Sequence, residues 1–451
     1  MTDRNDSEVL KIRRTAAAST RELHAWMRAH EAELIAFLRR IVDMDTATEH
    51  RDGVEALAQV MSQTMADIGF DVERREVKPP EEQWVYDAFI GHRGAAGIAP
   101  AVLCKLAGGQ GQGRLLMTGH IDTAFPPGAP ATNPFRIADG RAYGTAVSDM
   151  KSGVAGIVFA CRALIETGVA RPSEISVLFD TDEQGGSVCT RPLIEALARD
   201  ADWALVTEPG RVGGEVVGQR AGIAIGELIV DGVEAHLGTG YRDGRSAIEA
   251  LCRKIIALHR LHDPDGGVLL NVGEMNGGTR RNLYAGKAIA RMDIRVRDAQ
   301  TWMRIKAAIE AIAAADDLPG TRTTLRLWQH RPPMPWTDET TRMAKLVDAA
   351  AEAMGTRIAT IPTMGASDAN LIASQGIPVL CGLGPVGGAM MTRDEYIELP
   401  TLVERATLVA SLAHQLSTRK LSTRKLGTRK LGTRKLSTRK LGTRKLETTH
   451  G

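Results

Sequence analysis

Between Arg114 and Thr207, short apolar segments alternate with segments patterned for helix, and nothing else in the chain restricts the fold as much. Residues 114–118 read as a short apolar strand, 152–168 as a helix of small residues, 174–180 as a β-branched strand, 191–199 as a helix and 203–207 as a further strand. Such alternation predicts an α/β domain with a mostly parallel central sheet, because neighbouring parallel strands need a crossover that a helix supplies. Ligand sites in these sheets lie at the carboxyl ends of the strands. Four polar segments fall at such ends or in the loops that follow: Gly119-His120-Ile121-Asp122, Ser148-Asp149-Met150-Lys151, Asp182-Glu183-Gln184 and Thr207-Glu208-Pro209. A fifth, Gly388-Ala389-Met390-Met391, stands far downstream.

Upstream of this region, residues 20–45 carry Leu23, Trp26, Met27, Leu34, Phe37, Leu38 and Ile41 at helical spacing, and 53–69 reads as a second helix. From about Gly218 the pattern changes to longer alternating strands at 223–231 and 288–297, with helices at 246–261 and 299–315. After Pro332-Pro333, a helix at 338–354 and the apolar stretch 377–383 return to the first style. The expected organisation is one domain split in sequence, 1–217 with 332–415, and an inserted α+β domain at 218–331.

The 451 residues suffice for about two domains. Hydrophobic residues at 43% and charged residues at 25% place the chain with soluble globular enzymes, and no apolar run reaches bilayer length. The polar, mixed-charge segment 1–14 lacks the apolar core of a secretory signal, so a cytoplasmic location is expected. Five scattered cysteines, with no CxxC pair, indicate reduced core residues rather than a disulfide framework or a thiolate metal site. The formal charge of +3 misleads, because residues 416–451 hold twelve Lys or Arg against one Glu. The remainder has 45 basic and 53 acidic residues, a body near −8. The tail repeats Leu-Ser/Gly-Thr-Arg-Lys six times, and a five-residue period builds no continuous apolar face, so disorder is expected and catalysis should not need it. Its charge would suit nucleic acid or anionic lipid, but neither nucleic acid nor membrane is expected to be required.

The four early segments have a common chemistry. His120 ends a strand, and Asp122 is placed to accept a hydrogen bond from the ring nitrogen that would face away from a metal. Asp149 is expected to open a helix. Asp180, Asp182 and Glu183 crowd three acids at the end of a buried strand, which is costly unless a cation or a proton is shared. Glu208 ends the next strand, before Pro209. Taken singly, each acid is more often a helix cap or a turn residue; together and in this order they form a specific set. His259 and His262 lie among charged residues near a helix end and read as solvated. The glycine-rich run 108–113 lacks the Lys-Ser/Thr and the following helix of a phosphate loop and reads as a flexible turn.

With these segments the chain resembles the aminoacylase and glutamate carboxypeptidase family of metallopeptidases, which also contains acetylornithine deacetylase and succinyl-diaminopimelate desuccinylase. The resemblance spans nearly everything from Thr20 to Leu416. It rests on Gly-His-Ile-Asp-Thr, Ser-Asp-Met-Lys-Ser-Gly, Thr-Asp-Glu-Gln-Gly-Gly-Ser, Thr-Glu-Pro-Gly, Glu-Ala-His-Leu-Gly, Gly-Gly-Thr-Arg-Arg-Asn, Gly-Ala-Ser-Asp-Ala and Asp-Glu-Tyr-Ile. It implies a zinc-peptidase-like catalytic domain and an inserted dimerisation, or lid, domain. By position, the resemblance makes His120, Asp149 and Glu208 ligands of one metal, Asp149 being the carboxylate that normally bridges two. Glu183 matches the general base, His236 a lid histidine that reaches the partner subunit's site, and Asn282 and Arg295 fall in substrate-contacting strands of the lid. Homodimerisation follows from the role of His236.

Two positions depart from the family pattern. Gln184 stands where a second glutamate follows the base, and Met391, or Met390 if the loop is one residue longer, stands where a histidine is usual. A neutral amide and a thioether do not hold a hard or borderline divalent cation. The expectation is therefore one divalent ion per subunit, manganese or zinc. One such ion suits the 5-nitroanthranilate aminohydrolase branch of the family, in which charge from attack on the amine-bearing carbon spreads onto a para nitro group. There Gln184 would donate a hydrogen bond, Met390 or Met391 would touch the ring and Arg295 or a neighbouring arginine would hold the carboxylate. Hydrolytic deamination of 5-nitroanthranilate to 5-nitrosalicylate and ammonia is the favoured expectation. Hydrolysis of an N-acyl amino acid or small peptide is the alternative, ahead of a silent binding protein, which would have no need of Glu183.

Overall fold

The computed structural model describes residues 17–91 and 97–418; the expectations for residues 1–14 and for the repeats beyond Thr418 lie outside them. Six strands form the central sheet in the order Asp71–Arg75, Ala101–Ala107, Glu174–Asp180, Arg114–His120, Trp203–Val206 and Val379–Leu380. The last four are parallel to one another, and Ala101–Ala107 runs antiparallel to them. Arg114–His120, Glu174–Asp180 and Trp203–Val206 are buried along nearly their whole length, as parallel strands covered on both faces should be. His120 pairs with Asp180 and Thr118 with Val206, so the three strands end level and deliver His120, residues 182–184 and Glu208 to one edge of the sheet.

The helix Ser152–Glu166 packs against this edge with almost all of its residues buried. Its small residues permit the approach: a Cβ on Gly153 would lie 2.0 Å from the Thr207 carbonyl oxygen. A second, smaller sheet was not legible in the sequence, because its strands are only two or three residues long. Its order is Gly387–Gly388, Tyr396–Glu398, Arg141–Tyr143 and Arg136–Ala138. It brackets the turn that carries Asp149 and the loop that carries Met390 and Met391.

The third sheet is antiparallel, in the order Val268–Gly277, Lys287–Val296, Gly222–Asp231 and Arg322–Arg331. Alternation along Lys287–Val296 turns Ala288, Ala290, Met292, Ile294 and Val296 inward. They meet residues of the helices Ala247–His259 and Ala299–Ala314 in a cluster whose buried members all come from residues 224–313. The opposite face is less buried and mixed, with Glu227, Arg291, Asp293 and Arg295 beside Ile223, Ile225, Ile229 and Ile289.

Three local expectations are corrected. Residues 20–45 are not one helix: a helix at 17–29 stops at His30, whose ring stacks on Trp26 at 3.9 Å, and Glu31–Val42 begins anew. The glycine-rich turn is held in place, with Gln112 N donating to the Ser417 carbonyl (2.8 Å) and Gly111 N to the Arg171 carbonyl (2.9 Å). The body extends past 416, because helix Pro400–Ser417 takes in the first two residues of the first repeat and buries Leu416 and Ser417. Leu416 continues the four-residue spacing of Leu408 and Leu412 on that helix. Among the described residues, no helix is long and apolar enough to cross a membrane.

Candidate metal centre

Three chain segments meet at the cluster. His120 is buried at the end of its strand, and its Nδ1 lies 2.9 Å from the backbone carbonyl oxygen of Asp122, which leaves Nε2 for the cluster. The expected partner was the Asp122 side chain, which is farther away, at 3.5 Å. That carboxylate is drawn instead to the next loop: it accepts from Glu183 N and Gln184 N, both at 3.1 Å, and from the Thr48 hydroxyl at 2.6 Å. Asp122 thus orients the imidazole mainly through its main chain and the 183–184 turn through its side chain.

Asp149 does not open a helix, contrary to the sequence expectation. It has φ −112° and ψ 91° in a turn at Val147–Lys151, its peptide bond to Met150 is cis, and the regular helix starts at Ser152. Two backbone donors of this turn, at Ser148 and Asp149, are taken by a carboxylate rather than by helix geometry. Buried Glu395 accepts from Ser148 N at 2.8 Å and Asp149 N at 3.0 Å through one oxygen, and from Met391 N at 2.9 Å through the other. Glu208 follows the strand Trp203–Val206, and its carbonyl accepts from Gly384 N at 2.8 Å.

One ring nitrogen of His120 and one oxygen each of Asp149 and Glu208 lie within 4.8 Å of one another. His120 Nε2 is 3.1 Å from Asp149 Oδ1. A nitrogen and two carboxylates form a donor set that fits manganese or zinc. The local charge also fits a cation. Burial, reinforced by Asp149, pushes the Glu208 carboxyl above its usual range. Burial disfavours the His120 cation, but Asp122 and Asp149 outweigh it and hold the imidazole well above its ordinary value. A divalent ion would satisfy that surplus of negative charge.

Gln184 occupies the other side of Asp149. Its Nε2 donates to Asp149 Oδ2 at 3.1 Å and lies 3.5 Å from His120 Nε2. The amide therefore covers the oxygen that a second cation would have to share. Glu183 places Oε2 4.0 Å from His120 Nε2, while Oε1 accepts from Arg331 Nη2 at 3.0 Å. Burial raises the Glu183 carboxyl; Arg331 pulls it back and Glu208 pushes it further. A cleft of about 340 Å³ beside these groups is lined by Phe89, Glu183, Gln184, Arg295, Arg331 and Met391 among others. Of the two methionines, Met391 lines this cleft, and it also borders the next one, near Phe125. Met390 and Met391 are both exposed.

The structure brings His120, Asp149 and Glu208 together with Glu183 and Gln184 beside them, and it lines the adjoining cleft with Glu183, Gln184, Arg295 and Met391. His236 and Asn282 lie elsewhere, together and exposed on the surface, where Leu237 N donates to the Asn282 carbonyl at 3.0 Å. Phe89, Arg331, Asp368 and Glu395 were not singled out from the sequence. Asp368 and Glu395 sit inside quoted motifs. Arg331 has no local signal, because its partner Glu183 is 148 positions away, and Phe89 belongs to the short helix Gln83–Phe89, which was not expected.

Related proteins have the same architecture. The chain is 27% identical over 416 residues to carboxypeptidase G2 of Pseudomonas sp. (strain RS-16), covering 90% of this chain and 95% of the relative. It is 25% identical to succinyl-diaminopimelate desuccinylase of Thioalkalivibrio sulfidiphilus, over 76% of this chain and 89% of that one. A tripeptidase from Staphylococcus aureus superposes with a TM-score of 0.71 at 20% identity, over 86% of this chain and 99% of the other. Aminopeptidase PepT from Bacillus cereus does so with a TM-score of 0.67 at 23% identity, over 86% and 98%. Residues 116–415 match the model of peptidase family M20/M25/M40; the chain belongs to that family of metal-dependent hydrolases.

Proposed function

We propose that the chain is a single-metal hydrolase that cleaves the amide carbon–nitrogen bond of a small carboxylate-bearing substrate, an N-acyl amino acid or a short peptide. The observation that carries this reading is the convergence of His120, Asp149 and Glu208 within 4.8 Å, with Gln184 on the remaining oxygen of Asp149. The similarity to a carboxypeptidase and a desuccinylase supports amide hydrolysis. It moves the weight away from the nitroaromatic deamination favoured on sequence alone.

Manganese or zinc held by the three side chains would supply Lewis acidity and an acidified water. Glu183, tied at Oε1, presents Oε2 to take a proton from the attacking water and return it to the leaving nitrogen. Gln184 keeps the Asp149 carboxylate turned toward His120. Arg295, on the cleft wall, takes the substrate carboxylate, and Met391 contacts its apolar part. Residues 218–331 act as the dimerisation or lid domain on a split catalytic domain. In the homodimer, His236 and Asn282 complete the other protomer's site, where the imidazole stabilises charge on the carbonyl oxygen.

A second reading has its own observation. In deamination of 5-nitroanthranilate the nitro group carries the developing charge, so no second cation is needed where Gln184 and Met391 stand. Elemental analysis should return close to one manganese or zinc per chain, and the protein should release amine from a panel of N-acyl amino acids and dipeptides. Close to two ions per chain would overturn the single-metal reading. Ammonia from 5-nitroanthranilate, with silence on the amide panel, would put the second reading first.

A further inference from the structure

The candidate base is held by a residue of the antiparallel sheet. Arg331 is the last residue of the strand Arg322–Arg331 and is 1% exposed. Its Nη2 donates to Glu183 Oε1 at 3.0 Å and to Ser187 Oγ at 2.8 Å, and its Nη1 lies 2.9 Å from Asp368 Oδ1. The Ser187 hydroxyl donates to the same Asp368 oxygen at 2.5 Å. The backbone that carries the guanidinium is held too. Arg191 Nη1 donates to the carbonyls of Gln329 (3.3 Å) and His330 (3.1 Å), and the His330 ring lies 2.8 Å from the Gly186 carbonyl oxygen.

A glutamate side chain turns freely about its terminal bonds unless one oxygen is engaged. Here Oε1 is engaged and Oε2 is left toward His120. A fully buried guanidinium is expensive to desolvate and settles only where partners with good geometry surround it. Asp368 and Ser187 already provide an anion and an acceptor, so the contact with Glu183 is a further one, and it falls on the one acid in the network that borders the metal cluster.

We propose that Arg331 is the positioning residue of Glu183, fixing the carboxylate so that Oε2 alone faces the cluster. Because Arg331 ends a strand of the antiparallel sheet, the orientation of the base depends on that sheet. The kinetic part of the inference rests on Glu183 being the proton acceptor; the geometric part does not.

The test uses the full chain loaded with Mn²⁺ and the variants Arg331→Met and Asp368→Asn. Crystal structures of Arg331→Met should show the Glu183 carboxylate displaced by about 1 Å or more, a shift that costs on the order of 10² in rate at a reacting centre, with metal content unchanged. An unmoved Glu183 would overturn the proposal whatever the substrate proves to be. On an amide that the wild type turns over, kcat should fall about 10²-fold with KM nearly constant, and the loss should vanish in a Glu183→Gln background. A loss of the same size in that background would show that Arg331 acts on something else, and would also overturn it. If Arg331→Met does not fold, Asp368→Asn decides: it should loosen the guanidinium and displace Glu183 less, whereas an unchanged carboxylate position would count against the proposal. Wild-type silence on every amide would defeat the proposed function and leave the structural comparison to decide the role of Arg331.

Discussion

The acids at the ends of the central strands and in the turns beside them fall into two groups that are treated in opposite ways. The carboxylate of Asp182 accepts from Cys189 N at 2.7 Å, from Thr190 N at 3.2 Å and from the Thr190 hydroxyl. Asp149 and Glu208 instead face His120 and each other. Gln184 donates to Asp149, and among the described residues no hydrogen bond reaches the Glu208 carboxylate. Buried polar groups in proteins are nearly always satisfied. An acid whose donors all come from the chain belongs to the fold, and an acid that lacks them marks a place where the chain takes something in.

The sharpest way to break that contrast is Glu208→Ala. It should lower metal affinity by more than about 100-fold, exceeding the loss typical of an outer-shell partner, read as metal content after dialysis; a loaded variant would end the distinction between the two groups. Glu183→Gln should keep its metal and lose at least about 10² in turnover. Near-wild-type rates would take Glu183 out of the base role. Asp182→Asn should do the reverse, keeping metal while losing about 1–3 kcal/mol of stability as a donor–acceptor match is broken. Metal loss at an unchanged denaturation midpoint would exchange the roles of the two groups.

A fourth, smaller effect depends on pH. Burial raises Asp182 to about 6 and Asp180 to about 7, both above their values in the unfolded chain. The folded state therefore binds more protons than the unfolded one, so this contribution is fully present below about pH 4 and is lost as pH rises through 6 to 7. Asp182→Asn should flatten the lower part of that slope, measured as midpoint against pH; an unaltered slope would place the titration elsewhere. The repeats themselves should contribute nothing. Truncation after Thr418 should leave the midpoint and activity unchanged, whereas truncation after Gln415 removes buried Leu416 and should cost about 2–4 kcal/mol. Equal behaviour of the two truncations would move the edge of the body back to 416.

Much of the fold was legible, because the central strands and their helices are long enough to show a period and each has its own apolar pattern. The ligand-type residues were legible for a related reason: His120 and Glu208 sit at the ends of such strands, where a polar residue breaks an apolar run. Asp149 was read in the wrong conformation, since nothing local distinguishes a helix start from a turn held by Glu395, 246 residues away. The same limit hid Arg331 and the small sheet, which are defined by partners distant in sequence. The repeat unit misled at its first copy, because Leu416 serves both the five-residue repeat and the apolar face of the last helix.

Glu395 has one more consequence. Because its carboxylate bonds the main chain at Ser148, Asp149 and Met391, the loop keeps its place without help from the side chain at 391. At Met391 the main chain is held with φ +63°, while the side chain is exposed. Any residue that tolerates a positive φ at 391 can change the lining of the cleft without rebuilding the turn that carries Asp149, which makes this loop a natural place for new specificities to arise.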